Sequence, residues 1–225
     1  MLREIDFNEV SDGKFYSCND MAKTDCGGCQ NCSSCCQGMG NSIILDPWDA
    51  YQLQTNLNQT FESLLTDHVE LNITDGIILP NLKMTGDKEA CSFLDEHGRC
   101  SIHSFRPGFC RLFPLGRFYE NNSFQYFLQI HECPKPNKSK VKIKKWLGID
   151  DIKKYEEFIT KWHYFLKPLQ EYAMENAATN PQSVKDLSLY ILKLFYIMPY
   201  STSADFYVQF ERRLKKAMGD TESLL

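Results

Sequence analysis

The stretch CGGCQNCSSCC, residues 26–36, places five cysteines in eleven positions and ends in an adjacent pair. A Cys-x-x-Cys step puts two sulfurs on one side of a tight loop, where both can bind one metal ion at about 2.3 Å. Gly27 and Gly28 favour that loop because glycine adopts backbone angles that other residues resist. We interpret the stretch as a metal-binding loop. The step recurs three times in succession, through Cys26, Cys29, Cys32 and Cys35.

The adjacent pair Cys35 and Cys36 needs an explanation of its own. Neighbouring alpha carbons are about 3.8 Å apart, but their side chains diverge, so we expect the pair not to occupy two corners of one tetrahedral site. The pair would then serve two metal centres, or supply one ligand and one spare thiol. A strained disulfide between them and a buried free cysteine are the alternatives.

The composition of the chain is that of a globular protein. It has 225 residues, of which 43% are hydrophobic and 24% charged, enough to form a sizeable core. Charged residues near the start stand where a secretory signal needs an apolar run, and no stretch has the length of a membrane span. We therefore expect a soluble, cytoplasmic protein without a membrane partner.

In a reducing compartment, ten cysteines indicate metal binding, catalysis or redox exchange rather than a disulfide framework. The formal net charge of -4 argues against nucleic acid as a partner, because that binding depends on cationic contacts to phosphate.

The cysteines occupy only part of the chain, since none follows Cys133. We predict a cysteine-cluster metal-binding domain over residues 1–136 and a helical C-terminal region, packed on it, over residues 137–225. At this boundary the stretch KPNKSKVKIKK, residues 135–145, carries six lysines and no acid. A solvated connector explains it, and a docking site for an acidic partner is the alternative.

The fold class we predict is α+β. Apolar residues at steps of three and four predict three C-terminal helices. The first has Asp150 as N-cap and a kink at Pro168, the second follows Pro181, and the third runs from Ser203 to Gly219.

The cysteine-rich part is mixed, with short helices and β-hairpins. Asp46-Pro47 and Thr60 are typical helix starts. The runs CSFL and RCSIH around DEHG predict one hairpin, and RLFPLGRFY and FQYFLQI around ENNS predict another.

Four more cysteines complete the candidate ligands: Cys91, Cys100, Cys110 and Cys133. Together with Cys29, Cys32, Cys35 and Cys36 they make eight, enough for two four-cysteine sites. Cys18 and Cys26 remain as extra candidates. The spacing of Cys26, Cys29, Cys32 and Cys36 also matches that of bacterial ferredoxins, except that Gln37 replaces the usual proline. Spacing alone leaves zinc and iron–sulfur both open.

The blocks CQNCSSCC and CSFLDEHGRCSIHSFRPGFCRLFP together resemble the YkgJ-type cysteine-cluster family, a zinc- or iron-chelating domain marked by C-x-x-C-x-x-C-C. The same domain occurs in flagellin lysine N-methylases. The resemblance covers roughly residues 26–133 and implies an iron–sulfur or zinc cofactor, S-adenosylmethionine, and a protein substrate such as flagellin. It implies these metal ligands, with Cys133 as the eighth: Cys29, Cys32, Cys35, Cys36, Cys91, Cys100 and Cys110. Cys26, an addition to the family pattern, is a further candidate.

Arg106 and Arg111 flank Cys110 in FRPGFCR. A guanidinium at either position could grip a carboxylate of a substrate or of S-adenosylmethionine, or donate to a sulfur-rich cluster. A buried salt bridge that ties the turn to the core is the alternative. We name both as candidate cofactor-binding residues and assign no catalytic residue. His103 and His131 are weaker metal candidates than any cysteine.

Three functions stay open. The first is an iron–sulfur protein that acts as, or assists, an S-adenosylmethionine-dependent protein lysine N-methyltransferase. The second is a non-enzymatic protein held together by structural zinc. The third is a metal carrier or sensor with exchangeable thiolates.

Overall fold

The computed structural model describes residues 6–25, 27 and 32–224. Cys26 and Cys29 therefore lie outside the described residues. The helices are α1 Phe7–Val10, α2 Pro47–Leu57, α3 Phe61–Asp67, α4 Gly108–Leu112, α5 Ile143–Leu147, α6 Ile152–Asn176, α7 Pro181–Leu192 and α8 Phe206–Thr221.

Short 3-10 turns lie at Ser34–Cys36, His103–Phe105 and Glu222–Leu224, and a π-helical turn at Lys193–Ile197 continues α7. The strands are β1 Ser11–Tyr16, β2 Met21–Asp25, β3 Val69–Thr74, β4 Ile77–Leu82, β5 Met84–Thr85, β6 Ala90–Cys91, β7 Leu115–Glu120, β8 Ser123–Gln129 and β9 Ser139–Lys142. Helices and small sheets thus confirm the α+β class, with a C-terminal region that is helical.

The chain forms two compact units. One combines Asn41–Lys83 with Lys161–Leu225, and the other combines Arg3–Gly40 with Met84–Thr160. We call them the helical unit and the cysteine unit. Both are discontinuous in sequence, and neither ends at residue 136. The division at residue 136 rests on cysteine content rather than packing, and it stays a prediction.

The described part of the cysteine unit contains three small antiparallel sheets, β1-β8-β7, β2-β9 and β5-β6. Strands β7 and β8 form the hairpin predicted around ENNS, and Asn121 and Asn122 turn it with φ of 51° and 55°. Two successive residues at positive φ are typical of a type I′ turn, which matches the twist of the strands. A buried apolar cluster lies beneath the sheets: Ala22, Leu112, Leu115, Tyr126, Leu128, Ile143 and Leu147.

The helical unit packs α2, α3, α7, α8 and most of α6 with the hairpin β3-β4. Its centre is aromatic: Trp162 lies 4.8 Å from Phe195, and Phe195 lies 5.9 Å from Phe210, between ring centroids. These rings come from the helical periodicity read in the sequence, and they are packing surface.

Several predicted helix starts are confirmed. The side chain of Asp46 caps α2 in a reciprocal capping box with Asp49, and Pro47 occupies the first helical position. Thr60 caps α3. Asn180 caps α7, whose first residue is Pro181.

Other boundaries differ from the prediction. The carboxylate of Asp151, not Asp150, accepts a hydrogen bond in the first turn of α6, from the N–H of Lys154 at 3.2 Å. Helix α8 is capped by Asp205 and continues beyond Gly219. Both shifts are small, because several capping side chains adjoin each helix end and the sequence does not choose between them.

Across residues 6–25, 27 and 32–224, no helix is both long and apolar enough to cross a membrane.

Candidate metal centre

The doubled cysteines lie on the 3-10 turn Ser34–Cys36. Immediately after this turn, Gln37 forms an antiparallel β-bridge with Ala90. Ala90 is the first residue of β6, and Cys91 is the second. The bridge therefore holds Cys91 close to Cys36 even though 55 residues separate them in the sequence.

A short hairpin carries Cys91 and Cys100. Leu94 forms an antiparallel bridge with Cys100. Between them, the carboxylate of Asp95 accepts a hydrogen bond from the N–H of Arg99 at 2.8 Å, and this bond lowers the pKa of Asp95. The turn predicted at DEHG is thus confirmed, and it brings the two cysteines back towards each other.

Helix α4 carries Cys110, and the neighbouring Arg111 fixes the surrounding backbone. Arg111 is 7% exposed, and its guanidinium donates to carbonyl oxygens at both ends of this region. The acceptors are Ser104 at 2.5 Å, Arg106 at 2.9 Å, and Leu147 and Gly148 at 3.1 Å each. We call this arrangement the Arg111 clamp, and it ties the turn before α4 to the end of α5.

The two β-bridges and the electrostatic interactions among the thiols place five of them in one region. The pKa of Cys36 is raised, first by a hydrogen bond with Cys35, then by burial and by the charges of Cys110 and Cys91. The pKa of Cys100 is raised mainly by burial, with a contribution from Cys35. These thiols come from three segments, the 3-10 turn, the hairpin and α4. We call them the five-thiol group.

The expectation that Cys35 and Cys36 diverge is wrong. Their thiols are hydrogen-bonded to each other, and this bond lowers the pKa of Cys35 to about 7 while it raises that of Cys36. The backbone of a 3-10 turn does not fix χ1, so rotation about the Cα–Cβ bonds can turn both sulfurs to the same side. Whether the pair serves one metal centre or two stays a prediction.

Cys18 stands apart from this group. Its thiol is hydrogen-bonded to Glu156, burial raises its pKa, and it packs against the apolar cluster beneath the sheets. A role as metal ligand stays a prediction for every candidate, both for the five-thiol group and for the four remaining cysteines: Cys26, Cys29, Cys32 and Cys133.

The chemistry of the five-thiol group fits a soft metal. Thiolate sulfur is the donor that zinc and iron–sulfur clusters prefer. Among the described residues, no three Cys, His, Asp or Glu side chains are arranged to hold a metal ion as they stand. Cys35 and Cys36 hydrogen-bond to each other instead, so binding of a metal would release protons and draw the sulfurs into new positions.

Arg106 brings a positive charge to the group. Its charge adds to the hydrogen bond with Cys36 in lowering the pKa of Cys35, and it opposes the larger effect of burial, which raises the pKa of Cys100. It donates to the carbonyl oxygen of His103 at 2.8 Å, and its Nη1 lies 3.1 Å from each ring nitrogen of that histidine. Burial and the nearby Arg106 lower the pKa of His103. The charge of Arg106 therefore acts on two of the thiols while its side chain contacts His103, whereas the Arg111 clamp engages backbone carbonyls.

Two parts of this site were not recognised in the sequence. One is the hairpin β5-β6, which pairs Met84 with Cys91; its signal is the Gly86-Asp87 turn between two short runs. The other is the set of acceptors in the Arg111 clamp. A buried, structural arginine is the alternative named from the sequence, but that alternative pairs it with an acid, and backbone carbonyls such as those of Leu147 and Gly148 leave no signal in the sequence.

A family model described as "CxxCxxCC: Putative zinc- or iron-chelating domain" matches residues 28–141, just over half of the chain. No curated protein and no solved structure gives a significant match. The matched segment contains all three parts that form the five-thiol group. The chain therefore belongs to the CxxCxxCC family and carries its metal-chelating domain.

Proposed function

We propose that this protein binds an iron–sulfur cluster and that the five-thiol group supplies ligands to it. The observation that carries the proposal is the approach of five thiols from three separate segments. Four of the five, Cys35, Cys36, Cys100 and Cys110, are half-buried rather than packed in an apolar core. A bound metal explains this arrangement, because it binds several deprotonated cysteines at once and compensates the charge that they then carry.

One feature favours a cluster over a single zinc ion. A structural zinc site and an iron–sulfur cluster each take four cysteine ligands, so the number of thiols does not choose between them. The sulfurs of a cluster, however, also accept hydrogen bonds, which the guanidinium of Arg106 could donate. Cys133 and the cysteines of the loop before Ser34 are further ligand candidates.

Structural zinc is the second candidate. The family description names zinc beside iron, and the eight cysteines of the family pattern would fill two closed four-cysteine sites. In this case the metal stabilises the fold and leaves no open coordination position for a substrate.

The finer proposal is a protein-modifying activity of the lysine N-methylase type, with S-adenosylmethionine bound beside Arg106 and a protein such as flagellin as substrate. It depends on the family resemblance and on the place of Arg106. Arg106 would bind and orient a carboxylate through its planar guanidinium, and the cluster would supply the site for the cofactor. A reducing compartment such as the cytoplasm suits this chemistry, because the eight described cysteines are free thiols.

Anaerobic reconstitution tests the proposal. The metal-free protein is incubated either with ferrous iron and sulfide or with zinc, and bound metal is measured after desalting. Uptake of iron and sulfide in fixed ratio supports the cluster, and uptake of zinc alone supports the second candidate.

Calorimetry of the iron-loaded protein with S-adenosylmethionine tests the finer proposal. We expect binding by the wild type, at least about tenfold weaker binding by Arg106→Lys, since lysine lacks the planar fork, and unchanged binding by the control Arg99→Lys in the nearby exposed turn. Absence of binding by the wild type would exclude the methylase proposal and leave the cluster proposal standing.

A further inference from the structure

One face of the two-stranded sheet β2-β9 is lined with lysines. Lys23 of β2 lies directly opposite Lys140 of β9, and Met21 lies opposite Lys142. All four side chains are exposed, whereas Ala22, on the other face, is buried. We call the exposed side, defined by Met21, Lys23, Lys140 and Lys142, the lysine face.

Like charges placed directly opposite each other across two strands destabilise a sheet. Among the described residues, the lysines of this face make no ion pair; the lysines that do are Lys154, Lys161 and Lys216. The carboxylate of Asp25, at the end of β2, accepts a hydrogen bond from Ser139 at 3.3 Å. Among residues 6–25, 27 and 32–224, this face thus carries three lysines without an ion pair, although the net charge of the chain is -4.

Strand β9 also has an open edge. Within the described part of the chain it pairs with β2 alone. An edge strand presents N–H and C=O groups that can pair with another extended chain. The lysine face and the open edge therefore belong to the same strand.

We infer that β9 is a docking site for an extended, acidic polypeptide segment with carboxylates at alternate positions. Such a segment would add as a third strand beside β9. Alternate residues of a strand are about 6.8 Å apart and point to the same face. Two carboxylates at this spacing would stand beside Lys140 and Lys142, at the distance at which opposite charges across strands stabilise a sheet.

The chemistry of the face favours a polypeptide over other anions. Single-stranded nucleic acid is bound through aromatic rings that stack on bases, and the lysine face carries Met21 instead. Only a polypeptide can use the open edge of β9 for backbone hydrogen bonds. Lysine on an edge strand also opposes aggregation. That role does not require a partner with carboxylates at alternate positions, so the experiment below separates protection against aggregation from docking of a peptide.

The probe is a fluorescein-labelled peptide of alternating glutamate and threonine, measured by fluorescence anisotropy with the metal-loaded full chain. Two comparison peptides have the same composition: one has its glutamates in a block, and the other is N-methylated on the backbone along one edge. We expect the alternating peptide to bind, and each comparison peptide to bind at least about tenfold more weakly, because it loses either the charge register or the backbone bonds.

The double variant Lys140→Glu/Lys142→Glu should weaken binding by at least about tenfold, because two attractive pairs become repulsive. The matched control, Lys185→Glu/Lys215→Glu, reverses the charge at two exposed positions of the helical unit. It should leave the affinity for the peptide within about twofold of the wild-type value. Circular dichroism and metal content establish that both variants are folded. Because only peptide binding is measured, failure here leaves the metal proposal untouched.

Three results would overturn the inference. The first is equal binding of the alternating and block peptides, which would indicate charge attraction without strand pairing. The second is equal binding by the two double variants. The third is a protein that does not bind the peptide but does bind another anionic probe through its lysines. The probes are vesicles that contain phosphatidylserine and a single-stranded oligonucleotide, and whichever of them binds would be the partner class of the lysine face.

Discussion

Arg111 donates a hydrogen bond to the carbonyl oxygen of Leu147, 3.1 Å away and 36 residues later in the chain. Three further bonds, to the carbonyls of Ser104, Arg106 and Gly148, complete the clamp. A buried guanidinium engaged in this way stabilises the backbone that carries Cys110. Arg111 thus stabilises the backbone of the metal-binding region from a position next to Cys110.

The variant Arg111→Lys should destabilise the cysteine unit by about 2 to 4 kcal/mol, since one ammonium cannot reach carbonyls in four directions and leaves some of them unpaired. Urea unfolding measures this change. Arg106→Lys is the control, and it should cost less than about 1 kcal/mol because Arg106 is less buried and donates to a single carbonyl. Equal stability of the two variants would contradict the clamp.

In the helical unit, the prediction concerns Gly76, which turns β3 into β4 with φ of +85°. A Cβ at this position would lie 2.8 Å from the backbone nitrogen of Met174 and 2.9 Å from Cβ of Ala173. Gly76→Ala should therefore destabilise the protein by about 2 kcal/mol or more, through the positive φ and through the clash with α6.

Gly86→Ala is the matched control. Gly86 has a similar φ of +69°, but a Cβ there meets nothing within 4 Å. Its cost should be limited to about 1 kcal/mol of backbone strain. Thermal unfolding of both variants gives the difference in stability between them. If Gly86→Ala is as unstable as Gly76→Ala, the steric explanation is wrong.

Local sequence signals predicted local structure well. The caps at Asp46 and Thr60 and the turn at Asn121-Asn122 depend on side chains next to the backbone they satisfy, so the sequence shows them directly. The approach of Cys36 to Cys91 depends on the bridge between Gln37 and Ala90, a pairing of two ordinary residues distant in the chain. Such pairings are set by tertiary packing, and single-sequence patterns carry no record of them.

The directions of the Cys35 and Cys36 side chains illustrate a different limit. The spacing of the alpha carbons predicts divergence of the side chains, but rotation about χ1 brings the two thiols together. We now expect Cys35→Ser and Cys36→Ser to lose the same metal, because both thiols belong to one group. Metal analysis of each variant tests this. Cys18→Ser is the control and should keep full loading, and loss of different metals from the two variants would restore the two-centre explanation.

Thiol reactivity of the metal-free protein gives a further prediction. The pKa of Cys35 is lowered to about 7, so its thiolate is present at and above neutral pH, whereas the pKa values of Cys36 and Cys91 are raised and these thiols stay protonated. Because the thiolate is the nucleophile, Cys35 should be alkylated first by iodoacetamide near neutral pH. Mass spectrometry after brief exposure identifies the site. Faster labelling of Cys36 would mean that Cys36, and not Cys35, has the lower pKa of the pair.

Iron, zinc and acid-labile sulfide in the anaerobically purified wild-type protein, beside the variant Cys110→Ser, test the central claim most directly. The account predicts iron and sulfide in fixed ratio in the wild type. It predicts strong loss of both in Cys110→Ser, with retention in the control Cys18→Ser. Stoichiometric zinc without sulfide would contradict the iron–sulfur proposal, and wild-type metal content in Cys110→Ser would contradict the five-thiol group as the metal centre.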